Sequence, residues 1–471
     1  MRLGMAASRR LLVVGLLMAA IAPWSVGQSR AEDASVLPKG VKRVTLDSLF
    51  YLPVEQRYNP HGGTEDIATD FNNRHLDSTI FSLLTPLNPF VPGGNASIGD
   101  SHVKYKYLYN IEDLGGQYGL TDRLTIGIDI PYFWASNSVE AGLNSGPGSS
   151  ANVVLNTSSA ATLALFPPGS SCRNPVLPFA AIGPCSAVPG FTTRRFSTTD
   201  VQRLLGPGLV TNAGTRIPGF GFKKIQDWNG DGLGDITLGG KYQYLRTQDA
   251  ALALTLGARL ATGRRGDPDD LSDVYWSTGA NAILLRLHGD YALSNLWNRR
   301  PPSAQTGASA ISQPGDLVLN GTFRYDKVLP DYATRRVPSD VTDPITSNRE
   351  RVYRELGDRF EIEVGAKYDL PKGFSLSALY RYGWKLSDVV VGHRGFAYQT
   401  LTQDSDSTEQ IYIVGIGYST VPLYLEKKFP IPMGISLSYR DRFAGSGPHS
   451  SGSPSQILNS QYINLGLQVL F

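Results

Sequence analysis

The chain has 471 residues, including 50 glycines, 23 tyrosines and two cysteines, and a formal charge of +3. Beyond its first two dozen residues it has no stretch of about 18 consecutive apolar residues, which excludes a helical membrane protein. Removing residues 1–31 takes away four arginines and no acids, so the charge falls from +3 to −1 and composition gives no argument for nucleic acid as a partner.

The N-terminus has the three parts of an export signal. Arg2, Arg9 and Arg10 are followed by an apolar stretch from Leu11 to Ala22, then by the small residues Ser29 and Ala31 before Glu32. Cleavage after residue 31 is expected, leaving residues 32–471 as the working domain.

Segments with a period of two follow, the pattern of a half-buried strand. Leu124, Ile126, Ile128, Ile130 and Tyr132 alternate with Thr125, Gly127 and Asp129. Phe360, Ile362, Val364, Ala366 and Tyr368 alternate with Glu361, Glu363 and Lys367, and Leu370-Pro371-Lys372-Gly373 turns the chain into Phe374–Trp384. Met433, Ile435, Leu437 and Tyr439 repeat the pattern. The chain finishes on Ile463, Leu465, Leu467, Val469 and Phe471, opposite Asn464, Gly466 and Gln468.

Strands of this length, with aromatic ends and alternating short and long connections, predict a closed antiparallel transmembrane β-barrel. Thirteen segments qualify: 41–51, 103–118, 123–133, 232–246, 250–262, 272–283, 284–297, 315–327, 357–369, 373–386, 408–426, 432–443 and 459–471. An even count is required, and a strand near 331–339 makes fourteen, with twelve as the fallback. Two long outer loops are expected, at 52–102 and 134–231. The second holds Cys172 and Cys185, which export would allow to pair as a disulfide.

Asp227, Asn229, Asp231 and Asp235 surround Gly232 with the spacing of oxygen ligands in a calcium loop. Leu238 stands where a helix-bearing loop carries glutamate, so weak calcium binding and an Asx-rich turn are the two readings. No cofactor is required. Lys104, Lys106, Asp129, Asp235, Lys241, Arg259, Arg324, Glu361, Glu363, Lys367, Arg381, Lys385 and Arg440 fall opposite the apolar faces, as expected of a wet lumen. Ser101 in Gly99-Asp100-Ser101-His102 is the one candidate nucleophile, and it lacks recognisable partners. Catalytic residues are therefore expected to be none.

Tyr118-Gly119-Leu120-Thr121-Asp122-Arg123-Leu124 with Gly127-Ile128-Asp129-Ile130-Pro131-Tyr132, and Gly232-Leu233-Gly234-Asp235-Ile236 with Gly239-Gly240-Lys241-Tyr242, resemble the outer-membrane transporter family of the "MetA-pathway" of phenol degradation. Leu260-Ala261-Thr262-Gly263 is similar to that family as well. The resemblance implies a monomeric barrel, similar in plan to long-chain fatty-acid and aromatic-hydrocarbon channels, that admits small hydrophobic, aromatic solutes without cofactor chemistry. Its implied partners are outer-membrane lipid and, through the strand ending in Phe471, the barrel-assembly machinery. Phe71, Phe81, Phe90, Phe166 and Phe179 are the loop candidates for solute contact. A closed structural or binding barrel and an outer-membrane hydrolase are the alternatives.

Overall fold

The computed structural model describes Ala19–Ala20 and residues 33–471, apart from 168–178, 182–189, 211–213, 215, 248, 294–314, 343–344 and 449–455. Hydrocarbon offers no hydrogen bonds, so a strand within it must be paired along both edges. Twelve strands meet that demand as a closed antiparallel ring. They are β1 (Lys42–Tyr51), β2 (Ser97–Thr121), β3 (Leu124–Asn144), β4 (Ile236–Arg246), β5 (Ala250–Leu260), β6 (Ala282–Ala292), β7 (Leu317–Val328), β8 (Arg359–Asp369), β9 (Phe374–Lys385), β10 (Ser407–Ser419), β11 (Met433–Ser446) and β12 (Gln461–Leu470). The seam is β1 on β12, in register from Arg43 opposite Leu470 to Tyr51 opposite Tyr462.

Alternation places the apolar set outside. Ile463, Leu465 and Leu467 are exposed on β12 while Asn464 is buried within, as expected. Aromatic residues mark both ends of this lipid-facing band. Tyr118, Tyr242, Tyr368, Phe374 and Phe471 are exposed on the periplasmic side. On the outer side Tyr325, Phe360 and Trp384 stack across three neighbouring strands, with ring centroids 5.0 and 5.1 Å apart. These two girdles set the chain in the bacterial outer membrane.

The fourteen-strand expectation resolves into twelve in the closed ring, the fallback count. The same sheet carries two further short strands, His75–Asp77 and Trp228–Leu233, along the tall β2–β3 hairpin. Of the segments expected in the wall, 272–283 contributes only Val274–Tyr275 as strand before β6 begins. Every residue from 271 to 280 is buried, because the 261–281 connection folds inside the barrel. Asp331–Arg336 pairs with Arg349–Glu355, and that strand with Val389–Val391, in a small separate sheet. Residues 272–281 and 331–339 therefore lie outside the wall, and only Ala282 and Ile283 of the first segment enter it, as the start of β6.

The hairpin strands β2 and β3 have 25 and 21 residues, far more than a crossing needs. The expected outer loops 52–102 and 134–231 therefore become 52–96 and 145–235. Lys104 and Lys106, expected inside, point outward. At that height the outer face meets water, and the alternate positions Tyr105, Tyr107 and Tyr109 fill the interior. The expected disulfide has no counterpart among the described residues, because Cys172 and Cys185 lie outside them.

Between β7, β8 and β9 the inward charge is paired. Glu363 on β8 meets Arg324 of β7 at 3.0 Å and Arg381 of β9 at 2.5 Å, and Glu361 approaches the same two guanidiniums at 3.7 and 3.5 Å. All four side chains are less than a tenth exposed. Removing one member strands the others, so Glu363→Ala should destabilise the barrel by about 3 kcal/mol. Cutting the exposed Lys106–Glu55 pair should cost less than about 1 kcal/mol. Urea titration read by the heat-modifiable mobility of the folded barrel checks both.

Candidate functional site

Among the described residues, cavities lie at both ends of the lumen. The outer one is a pocket of about 80 Å3 between the tops of β2 and β3, the 70–81 segment and helix Thr198–Leu205. Phe71, Phe81, Val103, Leu205, Phe222 and Leu271 give it almost wholly apolar walls. An apolar cavity of roughly 150 Å3 holds benzene in an engineered protein, so an aromatic ring would need side chains here to move. The periplasmic cavity is far larger, about 1370 Å3, and is lined by both charged and apolar groups, including Asp129, Lys241, Arg286, Lys367 and Gln468.

The helix beside the outer pocket is held at its N-terminus by a capping box. Ser197 accepts from the Asp200 amide, and Asp200 accepts from the Ser197 amide at 2.8 Å. Arg194 then donates to Asp200 Oδ1 at 2.8 Å. Burial would raise the Asp200 carboxyl, but Arg194 and Ser197 overcome it and bring the group down to about 2. A depressed carboxyl stabilises the folded form above its unfolded value of 3.8 and loses that contribution as pH falls through about 2.

Between the cavities the inward-facing side chains of the described wall are buried. The inner face of β2 descends from Ser101 and Val103, which line the outer pocket, through Tyr105, Tyr107, Tyr109, Ile111 and Asp113 to Gln117 at the periplasmic cavity. The rings of Tyr105 and Tyr107 lie 6.4 Å apart and those of Tyr107 and Tyr109 6.1 Å. Tyr51 and Tyr462 continue the cluster across the seam, and the Arg440 guanidinium sits 5.0 Å from the Tyr462 ring centre. The inward 261–281 connection packs on the neighbouring strand β3. Trp276 stacks on Phe133 of β3 at 5.4 Å and donates to the Leu233 carbonyl at 2.8 Å. Arg264 holds Asp273 at 2.5 Å and lies 4.6 Å from the Trp228 ring centre.

Residues 33–41 run along the inside of the periplasmic end and line its cavity. The Ala34 amide donates to Asp290 at 2.8 Å, Gln243 donates to the Ala34 carbonyl at 2.9 Å, and the Leu37 amide donates to the Thr125 hydroxyl at 2.8 Å.

The acidic segment is strand rather than turn. Asp227, Asn229 and Asp231 are exposed on one side of Trp228–Leu233 and its approach, while Asp235 is buried. Their oxygens have separate employment: Asp227 accepts from the Val139 amide at 2.7 Å, Asp231 accepts from the Tyr132 hydroxyl, and Asp235 accepts from the Gly263 amide at 3.0 Å. Among the described residues no three His, Cys, Asp or Glu side chains cluster as metal ligands. Ser101 donates to the Phe71 carbonyl at 2.5 Å and accepts from the Arg74 amide at 3.1 Å, so it fastens a loop. His102 follows on the opposite face of β2. Of the loop phenylalanines, Phe71 and Phe81 reach the apolar pocket, Phe179 is buried elsewhere against Phe196, Phe166 packs on Phe191, and Phe90 is exposed. The tyrosine column was missed as a lumen feature. Its signal was the aromatic alternation 105, 107, 109 set against two lysines.

No family model matches the chain, and no curated protein matches it. Solved structures similar to it include an outer-membrane channel from Pseudomonas putida F1, at 13% identity over 94% of this chain and 99% of that one, with a TM-score of 0.43. A FadL homologue of Pseudomonas aeruginosa is 11% identical over 97% and 99%, with a TM-score of 0.30. The toluene transporter of Ralstonia pickettii is 12% identical over 98% and 96%, with a TM-score of 0.31.

Two outcomes are expected. Asp200→Asn should speed hydrogen exchange and proteolysis across residues 194–206 at neutral pH, and its difference from wild type should vanish as pH falls from about 4 to about 2. Calcium should bind the Asp227–Asp235 segment no more tightly than millimolar, because its oxygens are spread along a strand. Saturable calorimetric heat at micromolar calcium, abolished by Asp231→Ala, would contradict that.

Proposed function

We propose that this barrel is a passive outer-membrane channel for small hydrophobic, aromatic solutes. The observation that carries the reading is the apolar pocket beneath the outer loops, continued downward by an aromatic wall to a wide periplasmic cavity. An apolar solute gains by leaving water for such a pocket. A hydrophilic solute finds no open water path through the described interior, where ion pairs, tyrosines and the inward 261–281 connection fill the cross-section. Direction comes from the concentration gradient, since the reading invokes no energy source. The aromatic cargo itself rests on the resemblance of the Gly-Asp motifs to phenol-pathway transporters.

The same buried interior favours a second reading, a structural or binding barrel that conducts nothing. Flux separates the two. Refolded protein in lipopolysaccharide-containing vesicles should pass toluene or phenol faster than a sugar of similar size, with little steady ionic conductance. Flux equal to that of protein-free vesicles would leave the closed barrel as the better account. Shortening residues 140–220 should alter access or selectivity while the barrel still folds.

A further inference from the structure

The three tyrosines of the β2 inner face have an uncommon feature. Tyr105, Tyr107 and Tyr109 are at most 3% exposed, and none of their hydroxyls has a hydrogen-bond partner among the described residues. A buried hydroxyl without a partner is costly, and phenylalanine would fill the same space without that cost. One such group is a local accident of packing. Three at successive inward positions on one strand, running between two cavities, form a row of vacant hydrogen-bonding sites in an apolar wall.

We propose that Tyr105, Tyr107 and Tyr109 form a hydroxyl track that selects, among small apolar solutes, those bearing one neutral hydroxyl group, such as alkylphenols. The proposal rests on the uptake reading above and narrows its cargo. A tyrosine hydroxyl both donates and accepts, as a phenol does, so each ring can hold the solute in either sense. Neighbouring rings lie 6.4 and 6.1 Å apart, centre to centre, so a solute about one ring long spans adjacent members of the row. A hydrocarbon of the same shape would fit the walls and gain none of these bonds. A charged solute would have to shed its hydration among apolar rings, which disfavours it more strongly. Passage requires the 261–281 connection to yield, since it packs inside the barrel on β3, beside this face.

The test compares 4-ethylphenol with ethylbenzene, solutes that differ by the hydroxyl, as flux above protein-free lipopolysaccharide-containing vesicles. Wild type should favour the phenol about fivefold to tenfold, the effect of one neutral hydrogen bond. The triple variant Tyr105→Phe, Tyr107→Phe, Tyr109→Phe should abolish that preference while ethylbenzene flux stays within about twofold, because the ring stack is retained. Heat-modifiable mobility verifies folding. Should the triple variant not fold, Tyr107→Phe alone should lower the preference at least about twofold. An unchanged preference in the folded variant, with both solutes still passing, overturns the hydroxyl track and leaves hydrophobic uptake intact. No flux of either solute through wild type overturns both.

Discussion

Everything in this molecule depends on closing a sheet in a solvent that cannot hydrogen-bond to it. The seam between β1 and β12 satisfies the last two strand edges, and it needs the two ends of the chain's barrel to meet in register. The Arg43–Leu470 to Tyr51–Tyr462 alignment fixes which side chains face inward on both strands at once. A slip of one residue would turn Ile463, Leu465 and Leu467 into the lumen and Asn464 into lipid. The seam therefore sets the polarity of the interior as well as the closure of the wall.

Once closed, the cylinder has a second problem, which is what to put inside it. Twelve strands leave more room than side chains from the wall can fill at every level. The protein solves this by height. Paired arginines and glutamates on β7, β8 and β9 occupy one sector, where each charge has an opposite neighbour. Tyrosines from β2 occupy another. Connections do the remainder, the 261–281 segment from the outer side and residues 33–41 from the periplasmic side.

The wall was readable because lipid on one face and polar groups on the other impose a strict period of two, as in Phe360–Asp369 and Phe374–Lys385. The final strand and the short turn at Leu370–Gly373 followed from the same signal. The period fails where it has two causes. Leu271–Ala280 carries the strand-forming run Val274-Tyr275-Trp276, yet the segment is buried throughout, since it lies within the lumen rather than around it. Asp331–Arg336 alternates because it sits in a small sheet above the membrane, and Arg335 and Arg336 were the warning. The inward side of β2 was misassigned at Lys104 and Lys106 because hydrophobic-out holds only at membrane depth. The outer pocket was half visible: Phe71 and Phe81 were among the loop aromatics, but nothing local in the sequence joins them to helix Thr198–Leu205 or to Leu271. The acidic run from Asp227 to Asp235 read as a loop because Gly230 and Gly232 suggest turns, while its pairing with β3 is a long-range fact.

The spacing of the two aromatic girdles has a consequence for the membrane itself. On β9 they are marked by Phe374 and Trp384, ten residues apart along one strand. At a rise of roughly 3.3 Å per residue and a strand tilt of roughly 40°, the lipid-facing band is about 25 Å tall. A typical hydrocarbon core is about 30 Å thick, and bacterial outer membranes are thinner than average. The barrel is thus matched to a thin bilayer. In a thicker one, acyl chains near the wall would have to compress to keep the rims wet, and barrels sharing that collar of compressed lipid would be drawn together.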